Sequence, residues 1–234
     1  MTPHGLPRVI IVTGTDTDVG KTVVTAAITA VLHRAGRRVT AYKPTQTGVE
    51  PGEPGDMAEV TRLTGASGLD GVRLHAPMAP RPAASLEGAR LPGLAAHVST
   101  IRELAQSHDH VVVEGAGGLL VELTEAGETL ADLATALPGS AVVMVVRSGL
   151  GTLNHTMLTR EALARRQIRS LGIVIGAWTE QPTVIEQTNR AYFDGLAEGV
   201  LGAVPWGAPA LAPAVFADQS ATWLPGLVQR LGTL

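Results

Sequence analysis

Gly14-Thr15-Asp16-Thr17-Asp18-Val19-Gly20-Lys21-Thr22 is the stretch that decides how this chain folds. The apolar run Val9-Ile10-Ile11-Val12 leads into it. Beyond it Val24, Ile28, Val31, Leu32 and Ala35 share one face at helical spacing. Strand, glycine loop, Gly-Lys-Thr and helix together are the layout of a phosphate-binding P-loop. Backbone N–H groups of such a loop, and of the first helical turn, point at phosphate oxygens. Lys21 would bridge the terminal phosphates and the Thr22 hydroxyl would ligate Mg²⁺. Five residues separate Gly14 from Gly20, where the usual pattern has four. The loop is therefore a variant, polar and acidic within (Thr15, Asp16, Thr17, Asp18), and Gly20 leaves room for close backbone approach.

Outward from this loop, strands and helices alternate. Val39 to Tyr42 is β-prone and is expected to stop at Pro44. Asp56 stands before a helix through Met57, Val60 and Leu63. Gly68 to Gly93 is rich in proline and glycine and reads as irregular, with a short strand at Val72 to Leu74. A helix opens at Pro92, and the apolar strand Val111 to Val113 ends in Glu114 and a glycine loop. Then follow a helix from Leu130 to Leu137, a strand from Ala141 to Val146, a helix from Leu153 to Ala164 and a strand from Leu171 to Ile175. A helix from Val184 to Leu196, a strand from Val200 to Val204 and a last helix from Trp223 to Leu231 complete the chain. Strands rich in Val and Ile on both faces, alternating with helices, predict an α/β fold: a mainly parallel sheet with helices on both faces. No repeat or composition break divides the chain, so one P-loop domain is expected over residues 1–234.

Composition narrows the function. Hydrophobic residues make up 45% of the 234 and charged residues 17%, enough for a sizeable core. A net charge of −3 argues against broad nucleic-acid binding, which wants a basic face. With no cysteine, disulfides and Cys-based metal centres are excluded. Met1 to Arg8 carries no apolar run of the signal-peptide kind, and Ala141 to Val146 is too short to span a bilayer. A soluble cytoplasmic protein is the expectation.

Ligands of such sheets bind beyond the carboxyl ends of the strands. Three chemical groups stand there: the P-loop, Lys43 and Glu114. A carboxylate ending an apolar strand in a P-loop protein usually addresses Mg²⁺. Asp56 either caps its helix or adds a third metal ligand. Lys43, outside the phosphate loop, suits an electrophilic role beside a transferring phosphoryl group. Its loss should cost turnover and leave folding intact. His108-Asp109-His110 reads as a turn before a buried strand rather than a metal cluster.

Four motifs together resemble the dethiobiotin synthetases of biotin biosynthesis: the loop from Gly14, Tyr-Lys-Pro from Tyr42, Val-Glu-Gly-Ala-Gly-Gly from Val113 and Leu-Gly-Thr-Leu-Asn-His-Thr from Leu150. The order fits from the first strand to Pro205-Trp206. The resemblance implies an ATP- and Mg²⁺-dependent ring closure of 7,8-diaminononanoate with CO₂, through a carbamate and a carbamic–phosphoric anhydride. It places nucleotide contacts at Asp16, Thr17, Asp18, Val19, Gly20, Lys21, Thr22 and Val23, with Gly176 and Pro205 at the base. Thr17, Lys21, Lys43 and Thr47 would surround the reacting carbamate and γ-phosphate, with Asp18 facing the diamine and Gly117 beside it. Thr22, Asp56 and Glu114 match the metal ligands. Members are homodimers, in which Thr152, Leu153, Asn154 and Tyr192 of one subunit would hold the substrate's tail carboxylate for the other. Two departures stand out. Ala79-Pro80-Arg81 replaces a Ser-Pro-His sequence, so a substrate contact by the serine is missing or replaced. Gly176 replaces a base-reading Asn, which predicts loose nucleotide choice that an Asn restored there would sharpen toward ATP. Two other readings compete. A glutamine-using synthase of the same fold would want a further domain with a catalytic Cys. A partitioning-type switch ATPase would want a lysine where Asp16 stands.

Overall fold

The computed structural model describes residues 6–232; of the stretch Met1 to Arg8 read above, Met1 to Gly5 lie outside them. In chain order the elements are β1 (Val9–Gly14), α1 (Lys21–Arg34), β2 (Val39–Gln46), α2 (Asp56–Thr64), β3 (Ser67–Arg73), α3 (Pro80–Glu87), α4 (Leu94–Ser107) and β4 (His110–Gly118). Then come α5 (Leu130–Thr135), β5 (Ala141–Val146), α6 (Thr152–Arg165), β6 (Ser170–Trp178), α7 (Val184–Asp194) and β7 (Val200–Pro205). A 3₁₀ turn at Ala208–Ala210, α8 (Pro213–Trp223) and α9 (Pro225–Leu231) follow. The strands form one seven-stranded sheet in the order β3-β2-β4-β1-β5-β6-β7, with every ladder parallel.

Strand periodicity builds the two layers. Ile10, Val12, Val112, Val143 and Val145 face one way, onto α1, α2, α8 and α9 through Val24, Ile28, Met57, Val60, Phe216 and Leu227. Their neighbours Ile11, Val111, Val113, Val142 and Met144 face the other way, onto α4 to α7 through Ile101, Leu130, Leu163 and Phe193. Phe216 meets Trp223 edge-on, with ring centroids 5.1 Å apart. β1 lies between β4 and β5, so the chain's crossovers leave its two sides in opposite directions. The crevice at the carboxyl end of such a strand is where α/β sheets bind ligands.

Three expectations need correction. β2 does not stop at Pro44 but runs on to Gln46. Its ladder with β4 ends at Tyr42, while its ladder with β3 continues through Thr45 and Gln46. Pro44 therefore sits where only one side is paired, and strands tolerate proline there. The segment read as irregular contains β3 and α3, and the end of the chain holds α8 as well as α9. His108-Asp109-His110 is, as expected, the entry to β4: the Asp109 carboxylate accepts from Arg38 at 2.7 Å. No group of three His, Asp or Glu side chains able to hold a metal occurs among the described residues. Nor, among them, is any helix long and apolar enough to cross a membrane.

Two buried histidines give the fold an acid limit. The Tyr42 hydroxyl lies 2.8 Å from His97 Nδ1, and His97 Nε2 is buried with no partner. His110 Nδ1–H donates to the Pro7 carbonyl at 2.9 Å. Burial holds both below the ordinary histidine pKa. A group folded with a lowered basic pKa binds its proton more readily when unfolded. Stability from these two is therefore complete above the unfolded value of about 6.5 and is lost as pH falls below it. Tm should fall as pH is lowered from about 7.5 to about 5.5, and His97→Gln should flatten that slope. An unchanged wild-type Tm across that range would refute the assignment.

Candidate active site

β1 delivers the chain into the phosphate loop at Gly14, where a Cβ would stand 2.5 Å from the Asp16 carbonyl oxygen. The loop is tied to β5: Thr15 N–H donates to Val145 O at 3.0 Å. Beyond β5, Arg147 donates to Thr17 O at 2.7 Å and faces Asp16 Oδ2 at 3.5 Å. Asp18 and Gly20 take positive φ, 56° and 90°. Gly20 precedes α1, whose first turn carries no acidic residue and no side-chain cap. Its free N–H groups suit an anion. Lys21 Nζ donates to Asp16 O at 3.0 Å. Burial lowers its pKa, against the opposing charge of Glu114.

The second half of the site is built by register. Tyr42 of β2 is paired with Val113 of β4, so the next residues along, Lys43 and Glu114, come side by side. Lys43 Nζ donates to Glu114 Oε1 at 2.8 Å and pairs with Asp56 Oδ2. Thr22 Oγ1 donates to the same Glu114 oxygen at 3.0 Å. Glu114 is fully buried and Lys43 is 5% exposed. Burial alone would lower the Lys43 pKa, but the two carboxylates outweigh it and hold it well above the ordinary lysine value. Asp56 is not the cap of α2: Gly55 is. The Asp56 N–H instead donates to Gln46 Oε1 at 2.8 Å, which fixes the start of the helix.

These groups share one cleft of about 810 Å³, lined by Thr17, Asp18, Gly20, Lys21, Thr22, Val23, Lys43, Thr47, Asp56, Glu114 and Gly117. Asp16 and Val19 belong to the loop but do not line the cleft. Thr152 and its neighbours lie elsewhere. Thr152 Oγ1 donates to Arg147 O at 2.7 Å, Leu153 packs on the core beneath, and Asn154 lines a separate groove with Met157 and Leu158. Tyr192 is beside that groove, its hydroxyl 3.8 Å from Met157 Sδ. Pro205 pairs with Trp178 at the end of β7. Arg147 and, in the cleft wall, Gln46, Pro77 and Met78 were not singled out in the sequence. Only the position of Arg147 at a strand's carboxyl end could have marked it.

Mg²⁺ fits this donor set. Two carboxylates and a hydroxyl are hard oxygen donors, and Glu114 Oε2 is buried without a hydrogen-bond partner. Mg²⁺ needs few protein carboxylates because waters and phosphates complete its shell.

A family model described as an AAA domain matches residues 8–214. The ATP-dependent dethiobiotin synthetase of Mycobacterium avium is 50% identical over 214 residues, covering 91% of this chain and 93% of that protein. Those of Rhodococcus jostii and Streptomyces avermitilis are 48% and 47% identical, over 92% and 96% of this chain and 94% and 93% of theirs. The chain belongs to the ATP-dependent dethiobiotin synthetases. It is thus an enzyme, a ligase of biotin biosynthesis. The cell-division ATPase MinD of Pyrococcus furiosus shares its fold, with a TM-score of 0.58 over 97% of this chain and 98% of that one. At 15% identity that likeness is one of fold alone.

The two departures from dethiobiotin synthetase motifs fall differently in space. Ala79 and Pro80 line the cleft, whereas Arg81 leaves it to pair with Glu122 at 2.8 Å. Gly176 lies beneath the phosphate loop. A Cβ there would stand 1.8 Å from Val19 O, and one on Gly20 would stand 2.6 Å from Gly176 O. A side chain at position 176 would meet the Val19 carbonyl, so Gly176→Asn is expected to displace the phosphate loop rather than sharpen base choice.

Proposed function

We propose that this enzyme forms dethiobiotin from 7,8-diaminononanoate, CO₂ and ATP as follows. One amine adds to CO₂ and loses a proton, giving a carbamate. A carbamate oxygen attacks the γ-phosphorus and ADP leaves. The second amine attacks the carbonyl of the resulting anhydride, loses its proton and expels phosphate, closing the ureido ring. The observation that carries this reading is the single cleft in which Lys21 and Thr22 of the phosphate loop meet Lys43, Asp56 and Glu114. A carbamate approaching a triphosphate concentrates negative charge, and preorganised cations in a cleft stabilise it where it grows. Lys21 holds the terminal phosphates, Lys43 meets the transferring group, Thr17 and Thr47 position the carbamate, and Asp18 orients the diamine. Thr22, Asp56 and Glu114 would hold Mg²⁺, which when bound would neutralise the charge developing on the phosphates. The test is incubation with the diamine, bicarbonate, Mg²⁺ and ATP. The cyclic urea is expected by mass, with phosphate release dependent on the diamine. Diamine-independent release without that product would favour a switch ATPase.

We further propose a homodimer with a shared site. Support comes from the absence of Thr152–Asn154 and Tyr192 from the lining of the cleft, and from the exposure of Leu150, Leu158 and Tyr192 around them. Mixing an inactive Lys21→Ala chain with an inactive Asn154→Ala, Tyr192→Ala chain should restore activity, because one cleft in each hybrid is intact. A monomer in solution, or no recovery after proven subunit exchange, would refute sharing.

Nucleotide choice is expected to be loose. The position of Gly176 carries no side chain, Trp178 offers one donor at most, and phosphate contacts are blind to the base. CTP, GTP and UTP should each support turnover, with kcat/KM within about a thousandfold of that for ATP, near 4 kcal/mol. A wider preference for ATP over every other triphosphate would refute this.

A further inference from the structure

We infer that the Lys43 ammonium is the resident counter-ion of the Asp56–Glu114 pair, and that it must leave this place for a divalent cation to enter. The inference rests on Thr22, Asp56 and Glu114 being the metal-holding groups. Glu114 is fully buried, and one of its oxygens receives both the Lys43 ammonium at 2.8 Å and the Thr22 hydroxyl at 3.0 Å. Asp56, on a different element, closes on the same ammonium. A buried carboxylate without a cation is strongly unfavourable, and a carboxylate pair more so. The other nearby cation, Lys21, is turned to the Asp16 carbonyl and pairs with neither. Lys43 is thus what keeps the two carboxylates together.

The same arrangement forbids joint occupancy. A dication bound to Thr22, Asp56 and Glu114 would stand within a few ångströms of the ammonium, where like charges repel steeply in a poorly screened site. Lys43 is flanked by the cleft, and that is where negative charge arrives with a triphosphate. Entry of a metal–nucleotide complex therefore releases Lys43 from the carboxylates and offers its ammonium the phosphates. The lysine reaches the reacting group only when metal and triphosphate are both present, so the site is electrically complete before loading and reactive after it.

The test uses neither nucleotide nor turnover. Mn²⁺ is the probe, followed by electron paramagnetic resonance and by its effect on Tm, with wild type, Lys43→Met and the double variant Lys43→Met, Glu114→Gln compared. Wild type should bind Mn²⁺ weakly and show an unchanged Tm. Lys43→Met should lose about 10 °C without metal, as expected for a broken buried ion pair in a chain of this size. It should bind Mn²⁺ at least about tenfold more tightly than wild type, and Mn²⁺ should restore its Tm. The double variant, with one carboxylate neutralised, should recover most of the lost Tm and ignore Mn²⁺. A single variant too unstable to isolate, beside a folded double variant, is the same result in stronger form. A Lys43→Met protein with wild-type Tm and no gain in Mn²⁺ affinity, or a double variant as unstable as the single one, overturns the inference. Failure of the metal reading itself shows elsewhere, as wild-type turnover that survives EDTA.

Discussion

Lys43→Ala is expected to lower kcat by about 10²–10³-fold, or roughly 3–4 kcal/mol of transition-state stabilisation, on the scale of a lost oxyanion donor. The argument is electrostatic. The lysine is buried in the cleft, it is held charged by Glu114 and Asp56, and no other side chain delivers a cation from β2. KM for the nucleotide should change less than kcat, since Lys21 and the loop N–H groups remain. The fold will not be untouched, contrary to the expectation from sequence: alanine leaves two carboxylates facing each other, and Tm should drop with them. Turnover should therefore be measured well below that lowered Tm. A near wild-type kcat removes Lys43 from the chemistry.

Gly176→Ala should come close to abolishing nucleotide binding. The added methyl would meet Val19 O at 1.8 Å and Val145 Cγ1 at 2.8 Å. Neither can yield cheaply: one is backbone of the phosphate loop and the other a buried strand side chain. The loop must lift, and displacement of about 1 Å in a preorganised site costs around a hundredfold in rate. Overpacking adds about 1–3 kcal/mol of instability. The measurement is nucleotide affinity by calorimetry, with Gly93→Ala as control, since a Cβ at Gly93 meets nothing within 4 Å. Equal affinity in the two variants would sink the argument. Gly176→Asn should be no better than Gly176→Ala.

The two halves of the site were unequally legible in the sequence. The phosphate loop declares itself because its chemistry is local: glycines, Lys21 and Thr22 lie within nine residues and between a strand and a helix. The runs of Val and Ile likewise announced a buried parallel sheet, since both faces of each strand must be apolar. Lys43, Asp56 and Glu114 could each be suspected, but their mutual contact depends on the β2–β4 register, which no local pattern encodes. Prolines misled twice. Pro44 lies within β2 where only one side is paired, and Pro80 and Pro82 sit in the first turn of α3, where the missing N–H costs nothing. Read as breakers, they hid the end of β2 and the whole of α3. Gly176 was noticed for the side chain it lacks, whereas the structure accounts for it by the backbone it lets pass.

The placement of β1 also governs when this enzyme can come into being on the ribosome. Its residues emerge well before those of its two neighbours, for Val9 pairs with Val111 and Ile10 with Ala141. At a synthesis rate of about 5–20 residues per second, the Val9–Val12 segment waits on the order of 10 s for its second neighbour. In that interval both edges of this apolar strand are open until β4 emerges, and one still is until β5 emerges, the state in which nascent chains pair with one another. Low temperature and slow codons between residues 14 and 110 should lengthen it, and holding chaperones should matter more to yield than any late substitution near α9.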